Sequence, residues 1–146
     1  MWSGSYACYG PDNREAAIRV PSRLQGREVE STNLEFKPCD ATANPYLALG
    51  GLLVAGMDGV RNLLEPPPPI AVDPNDLSEP ELQQLGVSTL PSTLADAVAA
   101  LESDEVIISA LGELRGQLYP AIKRSDIRRF SELDDETEFY IYATRY

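Results

Sequence analysis

Histidine is absent from this 146-residue chain, and that absence excludes more than any other feature of its composition. Imidazole triads, Cys/His zinc sites and histidine acid–base chemistry all require it. Any metal ion would have to be a hard one held by oxygen, of the magnesium or manganese kind. Cysteine is scarce: Cys8 and Cys39 are too few for a disulfide-dense secreted scaffold, and both read as small buried residues. Positive charge is scarce as well, 12 Lys and Arg against 23 Asp and Glu, for a net charge of -11. Such an acidic chain has no general attraction to nucleic acid or anionic membrane, so a phosphate-bearing ligand would need local arginines working against the overall field. The most apolar stretch, residues 46–57, is shorter than the roughly 20 residues that span a bilayer, and Asp58 and Arg61 follow it. No basic region with an apolar run opens the chain, and the whole reads as a reduced, cytoplasmic protein.

Hydrophobic residues make up 43% of the chain, enough for one domain with one core. "MWSGSYACYG" reads as a strand through Trp2, Tyr6 and Tyr9. A free domain usually frays at its ends, so an aromatic strand at the very start points to missing sequence upstream. In "REAAIRVP" alternation puts Ala16, Ile18 and Val20 on one face and Glu15, Ala17 and Arg19 on the other. In "TNLEFKP" it sends Leu34 and Phe36 into a core and leaves Asn33, Glu35 and Lys37 on the opposite face. The two strands read as a hairpin-like pair sharing a charged face.

Asn44 and Pro45 supply N-cap and N1 chemistry, and Leu49, Leu52, Leu53, Met57, Val60 and Leu64 recur at helical spacing. Gly50, Gly51, Gly56 and Gly59 each cost this helix about 0.5–1 kcal/mol relative to alanine, which argues for close backbone packing. "EPPPPIAVDP" ends it and opens a surface connection over about 66–91. Thr93 to Asp96 resembles a capping box before the stripe Leu94, Val98, Leu101, and Ser103 or Asp104 caps a further turn. Leu114, Leu118 and Ile122 share one face of the next helix, with a kink or late start expected at Pro120. The tail 134–146 fits a helix or a strand; acidic residues in its first turn favour a helix capped by Asp134 or Asp135. The expected fold class is therefore α+β, a few antiparallel strands over about 1–40 and four or five helices over about 44–146.

"NREAAIRVP", "LEFKPCDATANPYLALGGLLVAGMDGV", "LPSTLADAVAAL" and "YPAIKRSDIRRF" together resemble the C-terminal part of the catalytic domain of the glutamine synthetase family, in its divergent branch with "NREA" for the commoner "NRSA". The resemblance covers essentially the whole chain, 1–146. It implies an ATP-dependent ligase that phosphorylates a side-chain carboxylate, after which ammonia or another amine displaces the phosphate, in a homo-oligomer using Mg2+ or Mn2+. It implies that Arg14 and Arg19 hold nucleotide phosphates and the developing acyl phosphate, a task suited to always-charged planar guanidinium groups. Glu35 aligns with a metal-ligand glutamate, and Lys37 with a residue near the phosphate or the substrate carboxylate.

Where the common pattern reads Arg-Ile-Glu-x-Arg, this chain has Asn33, Leu34, Glu35, Phe36 and Lys37. Asn33 lacks a cationic fork and Lys37 lacks bidentate geometry, so a changed substrate or weaker catalysis is expected. The family's other metal ligands lie upstream of the matched region, so the isolated chain is expected to be inactive without that upstream half. Two other readings stand beside this one. Arg19 and Glu35 can be a plain ion pair, and the chain can be a non-catalytic assembly or regulatory module. "KRSDIRR", residues 123–129, reads as a solvated helix face, and Asp58 as a packing or capping residue.

Overall fold

The computed structural model describes residues 4–40 and 42–145; the strand expected at Trp2 lies partly outside them. In order it contains β1 (Tyr6–Pro11), β2 (Ala16–Val20), β3 (Glu35–Phe36), α1 (Pro45–Arg61), a 3-10 turn (Pro74–Asp76), α2 (Glu79–Gln84), α3 (Leu94–Ser103), α4 (Glu105–Phe130) and α5 (Asp135–Arg145). A three-stranded sheet and five helices make it an α+β chain. It divides into two compact units, Met1–Ala41 with Glu65–Leu90, and Thr42–Leu64 with Pro91–Tyr146, where one core was expected.

The first unit holds the sheet, ordered β1-β2-β3. The expected antiparallel pairing holds for β2 and β3, where Ile18 faces Phe36 and Arg19 faces Glu35. β1, however, runs parallel to β2. Parallel neighbours ordinarily need a long crossover. Here the short link runs back along the strands: Asp12 N donates to Val20 O at one end, and Gly4 N donates to Glu15 O at the other. Alternation puts Arg19 and Glu35 on one face, as they are found, but carries no information on strand direction.

The core of this unit is Cys8, Ala16 and Ile70, with Tyr6, Leu77, Leu85 and Val87 packed against it. Both Ala16 and Ala17 are buried, so the start of β2 is covered on both faces, whereas Val20, Leu34 and Phe36 are exposed. Leu34 and Phe36 thus do not enter a core, because β3 is only two residues long and the described residues leave both side chains exposed. Cys39 is exposed, against expectation, and only Cys8 is buried.

The stretch after the prolines is a packed part of this unit and not a mere surface connection. Ile70 N donates to Tyr9 O (2.8 Å), Ala7 N to Ser88 O (2.8 Å) and Leu90 N to Ser5 O (2.8 Å), which pairs the free edge of β1. Between these contacts Pro74 is fully buried, and α2, closed by a Ser78/Glu81 capping box, buries Leu82.

In the second unit Asn44 Oδ1 accepts from Tyr46 N (3.0 Å) and Leu47 N (3.2 Å), and Pro45 follows at N1, as expected for α1. No residue of α1 is buried, and a Cβ built on any of its four glycines meets nothing within 4 Å. The expected close backbone packing is therefore not made among the described residues. Thr93 Oγ1 accepts from Asp96 N (3.1 Å), which caps α3, and Val98 is its buried apolar residue. Asp104 caps α4.

The break in α4 falls at Gly112 (φ 75, ψ 164) and not at Pro120. That backbone conformation is open to glycine at little cost, so the chain bends there. Pro120 lies within the continuing helix, eight residues past that break. Leu114, Leu118 and Ile122 remain exposed. The tail is helical, with Asp134 Oδ1 accepting from Thr137 N (2.8 Å). Among the described residues no helix is long and apolar enough to cross a membrane.

Candidate active site

Alternation along β2 and β3 sets the first part of the site. Arg19 and Glu35 are directly paired across the two strands, so their side chains project from the same face. Arg19 Nη1 lies 3.1 Å from Glu35 Oε1 and 3.3 Å from Oε2, and Arg19 Nη2 lies 3.5 Å from Asp12 Oδ1. The plain ion pair weighed from the sequence is thus made. It is half-open to solvent, and pairs of this kind contribute about 0–1 kcal/mol. Arg19 Nε is buried with no hydrogen-bond partner, so the guanidinium is not fully satisfied by its two carboxylates.

Asp12 is held in turn by Ser22, whose N–H (2.8 Å) and hydroxyl both donate to its carboxylate. These bonds, more than Arg19, hold the Asp12 carboxyl below the usual aspartate range. Pro11, Val20, Pro21, Ser22, Arg23, Thr32 and Asn33 line an adjoining surface groove. Asn33 makes a local bond, its Nδ2 donating to Ser31 O (2.9 Å).

Arg14 and Lys37 form the second part. Arg14 is exposed and makes no ion pair among the described residues. The Lys37 ammonium donates to the main-chain carbonyl of Arg14, and Lys37 N donates to Ala17 O (2.9 Å). Lys37 therefore braces the backbone that carries Arg14. The residue that sequence reasoning missed is Asn13, which is buried and bonds to Ile70 O (2.7 Å) and Val72 O (2.9 Å). A turn-forming Asn in a short polar link was the available signal; its partners lie too far along the chain to be read from it.

No group of three Asp, Glu, Cys or His residues among the described residues could hold a metal ion. Glu35 offers one carboxylate, already shared with Arg19, so the described residues do not by themselves make a magnesium or manganese site. Elsewhere, in the basic stretch, Lys123 pairs with Asp126 (3.3 Å) and Arg124 with Glu102. Asp58 accepts from Asn62 Nδ2 (2.9 Å) at the end of α1, a structural role.

The first unit thus carries a cross-strand arginine–carboxylate pair on β2 and β3, and on the turn before β2 an exposed arginine whose main-chain carbonyl a lysine holds. Residues 1–142 match the family described as glutamine synthetase, catalytic domain, and the chain belongs to that family. It is 35% identical over its full length to gamma-glutamylpolyamine synthetase GlnA3 of Streptomyces coelicolor and covers 31% of that protein. It is 40% identical over 131 residues, 88% of the chain and 28% of the relative, to a glutamine synthetase of Methanocaldococcus jannaschii. With a glutamate–methylamine ligase of Methyloversatilis universalis it shares 43% identity over 111 residues, 76% of the chain and 23% of that enzyme. A crystal structure of a glutamine synthase homologue superposes with a TM-score of 0.75 at 34% identity, covering 100% of this chain and 31% of the other. The chain thus spans between about a quarter and a third of the length of these relatives.

Proposed function

We propose that the chain is part of an ATP-dependent carboxylate–amine ligase of the glutamate–ammonia type. The observation that carries this reading is the shared face on which Arg19 and Glu35 pair across β2 and β3, with Arg14 exposed on the turn that leads into β2. In the proposed reaction a carboxylate oxygen attacks the γ-phosphorus of ATP and ADP leaves. The amine nitrogen then attacks the acyl carbon, phosphate leaves, and the nitrogen gives up a proton.

Arg14 and Arg19 would neutralise the charge on the transferring phosphoryl group, which is where most of the catalytic stabilisation of such a transfer lies. Glu35 would give one carboxylate to a divalent ion whose remaining ligands lie outside the described residues. Lys37 would keep Arg14 in place and add a point charge near the substrate carboxylate. Asn33 and Lys37, standing where the common pattern has arginines, would alter how the acid or the amine is held; two of the relatives are named for polyamine and methylamine substrates.

The test is calorimetric titration of the chain with a non-hydrolysable ATP analogue and Mg2+, beside an assay of ADP release with glutamate and amines. Binding that disappears in Arg14→Ala and Arg19→Ala, without turnover, is the expected result. Failure of the unsubstituted chain to bind would overturn the phosphate roles, and turnover by the chain alone would overturn its dependence on a missing upstream part.

A further inference from the structure

We infer that Asn13 is the positioning residue for Arg14, locking the turn that carries it to the Ile70–Val72 backbone; the inference rests on the phosphate role proposed for Arg14. Among the described residues Asn13 is the buried polar side chain, 7% exposed. Its amide is fully used. Nδ2 donates to Ile70 O (2.7 Å) and Val72 O (2.9 Å), and Oδ1 accepts from Glu15 N (2.9 Å) and Ala16 N (3.3 Å). Two donors and two lone pairs are all that a carboxamide offers. Aspartate would present only acceptors to two carbonyl oxygens, and a small apolar residue would leave the two carbonyls and two N–H groups without these bonds.

The strap is itself fixed. Ile70 is buried, and its N–H donates to Tyr9 O (2.8 Å). A Cβ on Gly10 would lie 1.9 Å from Ile70 O and 3.0 Å from Asn13 Cβ, so the glycine is what lets that carbonyl reach Asn13. On the far side of Arg14, Lys37 donates to its carbonyl. Arg14 is thus clamped through the backbone before and after it, while its guanidinium has no ion-pair partner among the described residues. With no such partner among the described residues, that side chain is aimed by the backbone from which it springs.

The experiment follows the Arg14 side-chain Nε–H signal of the full chain, 15N-labelled at arginine, during titration with inorganic triphosphate. Asn13→Ser keeps a short acceptor for the turn N–H groups but loses both bonds to the strap. Loss of one to two such bonds is expected to weaken triphosphate binding about tenfold and to speed amide exchange at Glu15 and Ala16 by a similar factor. Exchange at Leu82 and Val87 should stay unchanged, which shows that the unit is still folded. Asn13→Asp, with charge placed against the carbonyls, should be worse than Asn13→Ser. Wild-type affinity in Asn13→Ser, or faster exchange without weaker binding, would overturn the positioning role alone. A wild-type chain whose Arg14 signal ignores triphosphate would overturn the phosphate reading, and this role with it.

Discussion

Arg19 is held by two carboxylates of different character. Glu35 meets it across the strands, and Asp12 is fastened first by Ser22 and only then by the guanidinium. Because the folded Asp12 carboxyl titrates below its ordinary value, its contribution is present above the unfolded pKa and is lost as pH falls through the folded one. The Ser22 amide resonance should therefore hold steady from neutrality down to about pH 4, the ordinary aspartate value, and move only below it. A shift centred near neutral pH would contradict this order of bonds.

At this scale much of the site was legible. Alternation alone placed Arg19 and Glu35 on one face, and the two are now seen paired. Lys37 on the Arg14 carbonyl and Asn13 on the strap were not legible, since both depend on where distant main-chain carbonyls fall and no side-chain pattern encodes that.

The elements were read best where local chemistry decides them. The Asn44–Pro45 start of α1, the Thr93–Asp96 cap of α3 and the Asp134 cap of α5 all stand as the residue types dictate. They were read worst where a choice between neighbours decides, as with the direction of β1 and the bend at Gly112 in place of Pro120. α2 was missed because its six residues carry too little periodicity to be seen.

The four open glycines of α1 give a test in melts followed by far-ultraviolet circular dichroism. Gly51→Ala meets nothing within 4 Å and should stabilise the helix by about 0.5–1 kcal/mol. Asn44→Ala, which removes the cap, should cost about 0.5–2 kcal/mol. A Gly51→Ala chain that melts lower would mean that the glycine face is in contact after all.

For the whole molecule, the α+β class stands, whereas the division into two units was not foreseen. Continuous hydrophobic patterning conceals such a division, because it shows which residues are apolar and not which of them meet. Leu49, Leu53, Met57 and Val60 of α1 and Leu114, Leu118 and Ile122 of α4 are all exposed. Those side chains are already hydrated in the folded chain, so unfolding adds little new water contact at them. A 146-residue protein with an ordinary interior would gain about 2 kcal/mol/K of heat capacity on unfolding. Scanning calorimetry of this chain should return distinctly less, together with a shallow dependence of stability on denaturant. An increment at the full ordinary value would mean that these leucines find cover in solution, and the concentration dependence of the melting temperature would then show whether a second copy provides it.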